Sequence, residues 1–193
     1  MKKYGYKAMW VSTTLAFGVA YALSMTGCGA AGQNAEQATS SSETEPATME
    51  TTVTSIAACD AAVYTASGEG VQLASLHNGR PLVINYWATW CPYCVDELPD
   101  FQAIAKEYAG RADFAFVDCT DEEEKAATTE QWLADNGLSD LTVYYDNDGK
   151  AAETFDVYAL PTTVIVSSDG KVVSVSAGGM DANTLRNAID SAL

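Results

Sequence analysis

The sequence predicts an α/β fold, with a central mixed β-sheet flanked by helices on both faces and an extra β-hairpin at the N-terminal end. Short β-type runs alternate with helical runs from Cys59 to the C-terminus. The first unit reads strand–helix–strand, and a hairpin with a final helix closes the chain, an order that favours a mixed sheet. With 193 residues, of which 48% are hydrophobic, the chain can form one domain with a buried core.

The first predicted elements are a hairpin, a strand and a helix. Residues 62–66 and 71–74 flank a Ser-Gly-Glu-Gly turn, which is typical of a hairpin. The apolar run at 81–87 predicts a buried strand. A helix is then expected from Pro92, which suits a first helical turn, to about residue 108. Pro99 should bend this helix because it has no backbone N–H to donate.

The rest of the chain alternates in the same way. Gly137 and the Ser168-Asp169-Gly170 turn mark two of the element ends. The predicted strands are 114–117, 141–145, 162–166 and 171–176, and the predicted helices are 121–136, 151–155 and 181–192.

The N-terminus is predicted to be a lipoprotein-type signal peptide, residues 1–27. Three lysines precede an apolar run over residues 8–25, and Met25-Thr26-Gly27-Cys28 follows. Small residues directly before a cysteine resemble a bacterial lipobox, in which Cys28 carries the lipid. A short transmembrane anchor is the alternative. The lipobox interpretation places the protein outside the cytoplasm, lipid-anchored to the cell membrane.

Residues 28–57 are expected to be the lipidated cysteine and a disordered tether, and residues 58–193 the folded domain. From residue 29 the segment consists almost entirely of small and polar residues with glutamate, and it contains no lysine, arginine or aromatic residue. A flexible coil of this length reaches roughly 30 Å. The formal charge of -16 with only ten lysines and arginines argues against nucleic acid as a partner.

Two cysteines, Cys91 and Cys94, follow the first buried strand with the C-x-x-C spacing of a redox dithiol. A cysteine at a helix N-terminus feels the positive end of the helix dipole, which stabilises a thiolate. The second sulfur is close enough to displace a mixed disulfide formed on the first.

Three motifs occur in a specific order: WATWCPYC at 87–94, Glu97-Leu98-Pro99, and Leu160-Pro161-Thr162-Thr163, about 70 residues after the dithiol. Together they resemble the TlpA/ResA-type thioredoxin-fold oxidoreductases, from about residue 59 to the C-terminus. The resemblance implies a thioredoxin fold and a Cys91–Cys94 redox disulfide. Cys91 would be the exposed attacking thiolate and Cys94 the more buried resolving thiol.

The resemblance also implies a substrate surface around a cis proline, Pro161. The backbone of Leu160 would pair with an extended substrate, and Trp90 would shape the docking surface. The residues expected to bind substrate are Trp90, Pro92, Tyr93, Leu160 and Thr162. No cofactor and no metal is expected.

Glu97 is the predicted proton carrier. It lies three residues past Cys94, on the side of the helix that faces back toward the site, and burial there should raise its pKa. Thioredoxins usually keep a buried aspartate six residues before the first cysteine, and this chain has Asn85 there. Because Asn cannot titrate, a carboxylate must come from elsewhere. An ordinary solvated helix acid is the alternative.

Other interpretations of the dithiol remain open. Pro-Tyr between the cysteines is typical of glutaredoxins, and a C-x-x-C can be half of a zinc site. A copper-delivering relative of the same fold would need a wider cysteine spacing and a late histidine, whereas the only histidine is His77. The remaining pair, Cys59 and Cys119, is expected to form a structural disulfide in an oxidising compartment, or else to be two separate buried thiols.

The sequence therefore predicts a membrane-tethered thiol–disulfide oxidoreductase. Reduction of cysteine-containing exported proteins is the favoured activity, with apocytochrome c thiols as implied substrates and a membrane thiol transporter as electron donor. The alternative is an oxidase or repair enzyme for secreted cysteines, because the direction depends on the reduction potential.

Overall fold

The computed structural model describes residues 47–48, 53–119 and 126–193, which form one mixed β-sheet with helices on both faces. The eight strands within these ranges are β1 (Ala47–Thr48), β2 (Ala62–Tyr64), β3 (Gly70–Gln72), β4 (Leu82–Trp87), β5 (Asp113–Asp118), β6 (Val143–Tyr145), β7 (Thr162–Val166) and β8 (Val172–Ala177). The helices are α1 (Pro92–Glu107), α2 (Ala126–Asp135), α3 (Lys150–Thr154) and α4 (Ala182–Ala192).

The strand order across the sheet is β1-β8-β7-β4-β5-β6-β2-β3. The central strands β4, β5 and β6 are parallel, whereas β7 is antiparallel to β4 and to β8. The carboxyl ends of β4, β5, β6 and β8 therefore meet the beginning of β7 at one edge of the sheet. Segments far apart in sequence are brought together there.

Two apolar layers hold the sheet between its helices. Side chains alternate between the faces of a strand, so Val83, Asn85 and Trp87 of β4 point to the face covered by α1 and α4. Ile84 and Tyr86 point to the opposite layer, which includes α3. All six residues of β4 are buried, as expected for a central strand between two helical layers.

The ends of α1 and α4 follow from local capping chemistry. Cys91 is the N-cap of α1 and Pro92 occupies its first helical position, where a missing N–H is no loss. Asp181 caps α4 by accepting hydrogen bonds from the backbone N–H groups of Asn183 and Thr184.

The folded region begins earlier than the sequence predicted. The predicted tether ended at residue 57, but Ala47–Thr48 pairs with β8 and Ile56 is 2% exposed in the layer opposite α1. Ser55 also bridges to Lys171. The polar composition hid this segment, which is held by Ile56, by Val53 packed against the same layer, and by strand pairing. The predicted signal peptide and Cys28 lie outside the described residues.

The other elements agree with the predicted ones apart from their boundaries. β3 stops at Gln72, because Leu73–Leu76 form a 3₁₀ turn rather than further strand. The predicted start of α2, at residues 121–125, lies outside the described residues. In the part of the chain that the structure describes, no helix has the length and apolar character needed to cross a bilayer.

Candidate functional site

The dithiol lies where four strand ends converge. Cys91 follows β4, Cys119 follows β5, Pro161 precedes β7, and Met180 follows β8. Hydrogen bonds close this edge: the Cys119 N–H donates to the Trp87 carbonyl at 2.8 Å, and the Gly178 N–H donates to the Pro161 carbonyl at 2.8 Å. The fold thus provides the site by sheet topology rather than by proximity in sequence.

Cys91 and Cys94 form a disulfide, with their Cα atoms 5.3 Å apart. The Cys91 Sγ accepts a hydrogen bond from the Cys94 backbone N–H at 3.3 Å. After reduction, this N–H group and the positive end of the α1 dipole would stabilise a thiolate on Cys91. A thiolate at this position is the nucleophile that thiol–disulfide exchange requires.

Cys91 is less accessible than the sequence analysis expected. It is 4% exposed in this oxidised state, and Cys94 is completely buried, so the prediction of an exposed Cys91 is wrong while the predicted order of burial holds. The reason is that Cys91 packs into the apolar layer beside Trp87 and Ala88. Little of Cys91 is therefore accessible in the oxidised state.

Glu97 is buried one helical turn after Cys94 and is 6% exposed. Its Oε1 accepts a hydrogen bond from the Asn85 Nδ2 at 2.9 Å, and its Oε2 accepts one from the Met180 backbone N–H at 2.9 Å. Asn85 also donates to the Thr163 Oγ1 at 3.1 Å. Both carboxyl oxygens are thus held by donors from other elements of the fold.

Burial raises the pKa of Glu97 from its ordinary value of 4.5 to about 7. Desolvation penalises the charged form, whereas the Met180 and Asn85 donors favour it and keep the pKa from rising further. A carboxyl with this pKa can accept or release a proton near neutral pH. This is the behaviour expected of a proton carrier for a buried thiol.

The Leu160–Pro161 peptide bond is cis. Leu160 is half-buried, whereas Pro161 is buried. Thr162, which was expected to bind substrate, is fully buried and donates its hydroxyl to the Ala159 carbonyl at 2.8 Å. Its backbone pairs with both neighbouring strands, so that expectation is wrong.

An aromatic surface surrounds the dithiol. Trp90 is 63% exposed and Tyr93 is also exposed, next to the exposed Pro92. Beside Trp90 lies a cavity of about 280 Å³, lined by Trp90, Cys119, Ala152, Val157, Tyr158, Ala159 and Leu160. Of the predicted substrate-binding residues, Trp90 and Leu160 therefore line one largely apolar cavity.

Cys59 and Cys119 are free thiols, so the predicted second disulfide is not formed. Both lie in the apolar layer opposite α1, but each thiol has its own partner. Cys59 interacts with the Thr154 side chain, and the Cys119 thiol donates to the Val117 carbonyl at 3.7 Å. Burial and the charges of Asp146 and Asp118 raise the pKa of Cys119, which keeps the Cys119 thiol protonated.

Sequence reasoning missed three parts of the site. Thr163 was quoted within a motif but given no role, Tyr158 was not singled out, and the Met180 donor is a backbone N–H. A backbone donor leaves no signature in residue type. Among the described residues, no group of three or more His, Cys, Asp or Glu side chains is arranged to hold a metal ion.

The sequence profile of the AhpC/TSA family matches residues 55–175, which is more than half of the chain. The chain belongs to the AhpC/TSA family. The matched region contains the dithiol, Glu97 and the cis proline, and Met180, whose N–H donates to Glu97, lies just beyond it.

This AhpC/TSA-family chain is similar to the thiol-disulfide oxidoreductase ResA of Halalkalibacterium halodurans, with 27% identity over 113 residues. The match covers 58% of this chain and 62% of ResA. The resemblance to ResA-type proteins inferred from the three motifs is thus confirmed.

Two solved structures share the fold of this AhpC/TSA-family chain. MTB DsbF aligns with a TM-score of 0.62 and 24% identity, over 70% of this chain and 96% of that one. The exposed lipoprotein thioredoxin Etrx1 of Streptococcus pneumoniae aligns with a TM-score of 0.59 and 25% identity, over 68% of this chain and 98% of that one. The predicted thioredoxin-like fold is confirmed.

The raised pKa of Glu97 predicts how stability depends on pH. The folded state holds this proton up to about pH 7, whereas the unfolded chain releases it near 4.5. Wild-type stability is therefore lost as the pH rises from 4.5 through 7. From pH 5 to pH 8.5, the free energy of unfolding of wild type should fall by about 2–3 kcal/mol relative to that of Glu97→Gln, which cannot titrate at this position.

The measurement is urea unfolding of the oxidised proteins at both pH values. The exposed Asp100 of the same helix provides a matched control, since Asp100→Asn changes an acid to an amide without burial. A pH-independent difference between wild type and Glu97→Gln would show that Glu97 does not carry this proton.

Proposed function

We propose that this protein is an extracytoplasmic, lipid-anchored thiol–disulfide oxidoreductase that reduces disulfides in exported proteins. The observation that carries the proposal is a disulfide at a helix N-terminus with a buried carboxyl, whose pKa is about 7, one turn further along the same helix. The helix α1 and its N-cap then carry the nucleophile Cys91, the resolving thiol Cys94 and the proton carrier Glu97. The similarity to a ResA protein named as a thiol-disulfide oxidoreductase supports the same activity.

The reaction begins with the reduced dithiol. The Cys91 thiolate attacks one sulfur of a substrate disulfide, the substrate S–S bond breaks, and the other substrate sulfur leaves as a thiolate that takes up a proton. A mixed disulfide now joins Cys91 to the substrate. Reduction of the substrate is complete only when this mixed disulfide is broken and the second substrate sulfur is released.

Resolution requires Cys94 to lose its proton. Side chains three residues apart on a helix are neighbours, so Glu97 can take this proton directly or through one water molecule. The Cys94 thiolate then attacks the Cys91 sulfur, and the second substrate sulfur leaves as a thiolate. The substrate gains two electrons and the Cys91–Cys94 disulfide is formed.

Substrate docking is assigned to the surface between Trp90 and Leu160. A polypeptide lying along Leu160 can pair through its main chain, a mode that is indifferent to sequence. The apolar cavity beside Leu160 can then accept a neighbouring side chain of the substrate. Because burial keeps Cys119 protonated, this cavity thiol does not compete with Cys94 for the mixed disulfide.

The proposed substrates and electron donor rest on what the resemblance of the three motifs implies. Apocytochrome c thiols are the proposed substrates, and a membrane thiol transporter is the proposed electron donor. The lipobox-like Met25-Thr26-Gly27-Cys28 and the similarity to an exposed lipoprotein thioredoxin support attachment through Cys28.

Cells that produce Cys94→Ser should accumulate covalent adducts of this protein with exported proteins. Without Cys94 the mixed disulfide on Cys91 cannot be resolved, so substrates stay attached. The measurement is non-reducing electrophoresis followed by mass spectrometry of the trapped partners, with the Cys91→Ser, Cys94→Ser double variant as the control.

The identity of the trapped partners tests the direction of the reaction. Recovery of apocytochromes or of cytochrome maturation proteins fits reduction. A broad set of secreted proteins would favour oxidation, and adducts equally abundant in the double variant would contradict the assignment of Cys91.

Cys28→Ser should abolish lipid attachment without changing the dithiol. Labelled palmitate supplied to growing cells should be incorporated into wild type and not into Cys28→Ser, and only wild type should partition into detergent. Cys59→Ser is the matched control, because Cys59 is buried in the folded domain. Labelling of Cys28→Ser at the wild-type level would contradict the anchor.

A further inference from the structure

Asn85 and Thr163 form a polar pair inside an otherwise apolar layer. They lie directly opposite each other on the antiparallel strands β4 and β7, so their side chains share one face of the sheet. That face is covered by α1, which carries both Glu97 and the dithiol. Both residues are completely buried. Polar groups at such positions cost free energy unless they form hydrogen bonds.

The bonds of this pair fix the direction of the Asn85 amide. Its Nδ2 has two hydrogens: one is donated to the Glu97 Oε1 at 2.9 Å and the other to the Thr163 Oγ1 at 3.1 Å. The Asn85 Oδ1 has no partner among the described residues. Thr163 is therefore the group that holds the amide in the rotation that aims its second hydrogen at Glu97.

The second carboxyl oxygen is tied to the substrate side of the site. The Met180 N–H donates to the Glu97 Oε2, and Gly178, two residues earlier, donates its N–H to the Pro161 carbonyl. Thr163 itself lies two residues after Pro161. The two donors to Glu97, on β4 and after β8, thus belong to the two segments that pair with the strand following the cis proline.

We propose that Asn85 and Thr163 are positioning residues for thiol–disulfide exchange, which hold the Glu97 carboxylate in the orientation that serves Cys94. The inference deepens the proposed function, on which it rests, by identifying what orients the proton carrier. Neither residue touches the reacting sulfurs, and Thr163 acts only through Asn85.

An amide suits this role because it donates to the carboxylate without titrating itself. The groups that act on Glu97 are the Asn85 amide from β4, the Met180 N–H from the segment after β8, and the burial imposed by its surroundings. Cys94 is the titratable neighbour on its own helix once the disulfide is reduced. Among the described residues, no charged side chain contributes to the Glu97 shift.

Removal of the Thr163 acceptor should therefore make Glu97 a weaker acid. In Thr163→Val, which keeps the side-chain shape, the Asn85 amide is free to rotate away and the carboxylate loses a donor. Loss of one hydrogen bond to a charged group should lower the acidity of Glu97 about tenfold or more. The midpoint of the pH dependence that Glu97 gives to the exchange rate should then lie at a higher pH.

The experiment measures reduction of the Cys91–Cys94 disulfide of the purified chain by dithiothreitol from pH 5 to 9, corrected for the titration of the reagent. In Thr163→Val, the midpoint of the Glu97-dependent step in the plot of reduction rate against pH should lie at a higher pH than in wild type. In Thr163→Ser, which keeps the hydroxyl, it should lie at the wild-type pH. Asn85→Leu, which removes the donor itself, should shift the midpoint in the same direction as Thr163→Val.

A purely structural role predicts a different pattern. If Thr163→Val lowers the melting temperature but leaves the midpoint at the wild-type pH, the inference is overturned. Dithiothreitol needs no polypeptide site, so the result is separate from the proposed function. A shifted midpoint in a protein that traps no exported partner would refute the function and retain the positioning role.

Discussion

The Glu97 carboxyl is buried in the apolar layer beneath the sheet edge that carries the dithiol, and the geometry of the site depends on keeping it there. A buried carboxyl is costly unless its oxygens are hydrogen-bonded. Here the donors are the Asn85 side chain and the Met180 backbone, which belong to a central strand and to the segment after β8. The hydrogen bonds that stabilise the buried carboxyl therefore also hold α1, and with it Cys91 and Cys94, against the sheet.

Sheet topology turns this local requirement into a site. Because β4 and β5 are parallel and β7 runs the other way, Cys91, Cys119 and Pro161 reach the same edge. The dithiol is buried, and the exposed Trp90, next to Cys91 in the chain, lines an apolar cavity together with Leu160. The result is a dithiol in an apolar layer, with the titrating Glu97 one helical turn after Cys94 and an apolar cavity lined by Trp90, the residue before Cys91.

The sequence contained most of the fold and the reacting groups. Apolar runs located the central strands, and the spacing of Cys91, Cys94 and Glu97 predicted a dithiol with a carboxyl one turn away. Features set by tertiary contacts were not predictable: the Met180 donor is a backbone group, Thr162 is buried by pairing on both sides, and Cys91 is covered by its neighbours. The start of the folded region was placed too late because Val53 and Ile56 are isolated apolar residues in a polar stretch. Cys59 and Cys119 lie in the same apolar layer without forming a disulfide.

The central claim is that Glu97 titrates near neutral pH in the oxidised protein. The most direct measurement is a nuclear magnetic resonance titration of the side-chain carboxyl carbon of Glu97, assigned by its loss in Glu97→Gln. The account predicts a midpoint close to pH 7, since burial raises the pKa to about 7. A midpoint near the ordinary glutamate value of 4.5 would contradict it, because so acidic a carboxyl would be too weak a base to take the Cys94 proton near neutral pH.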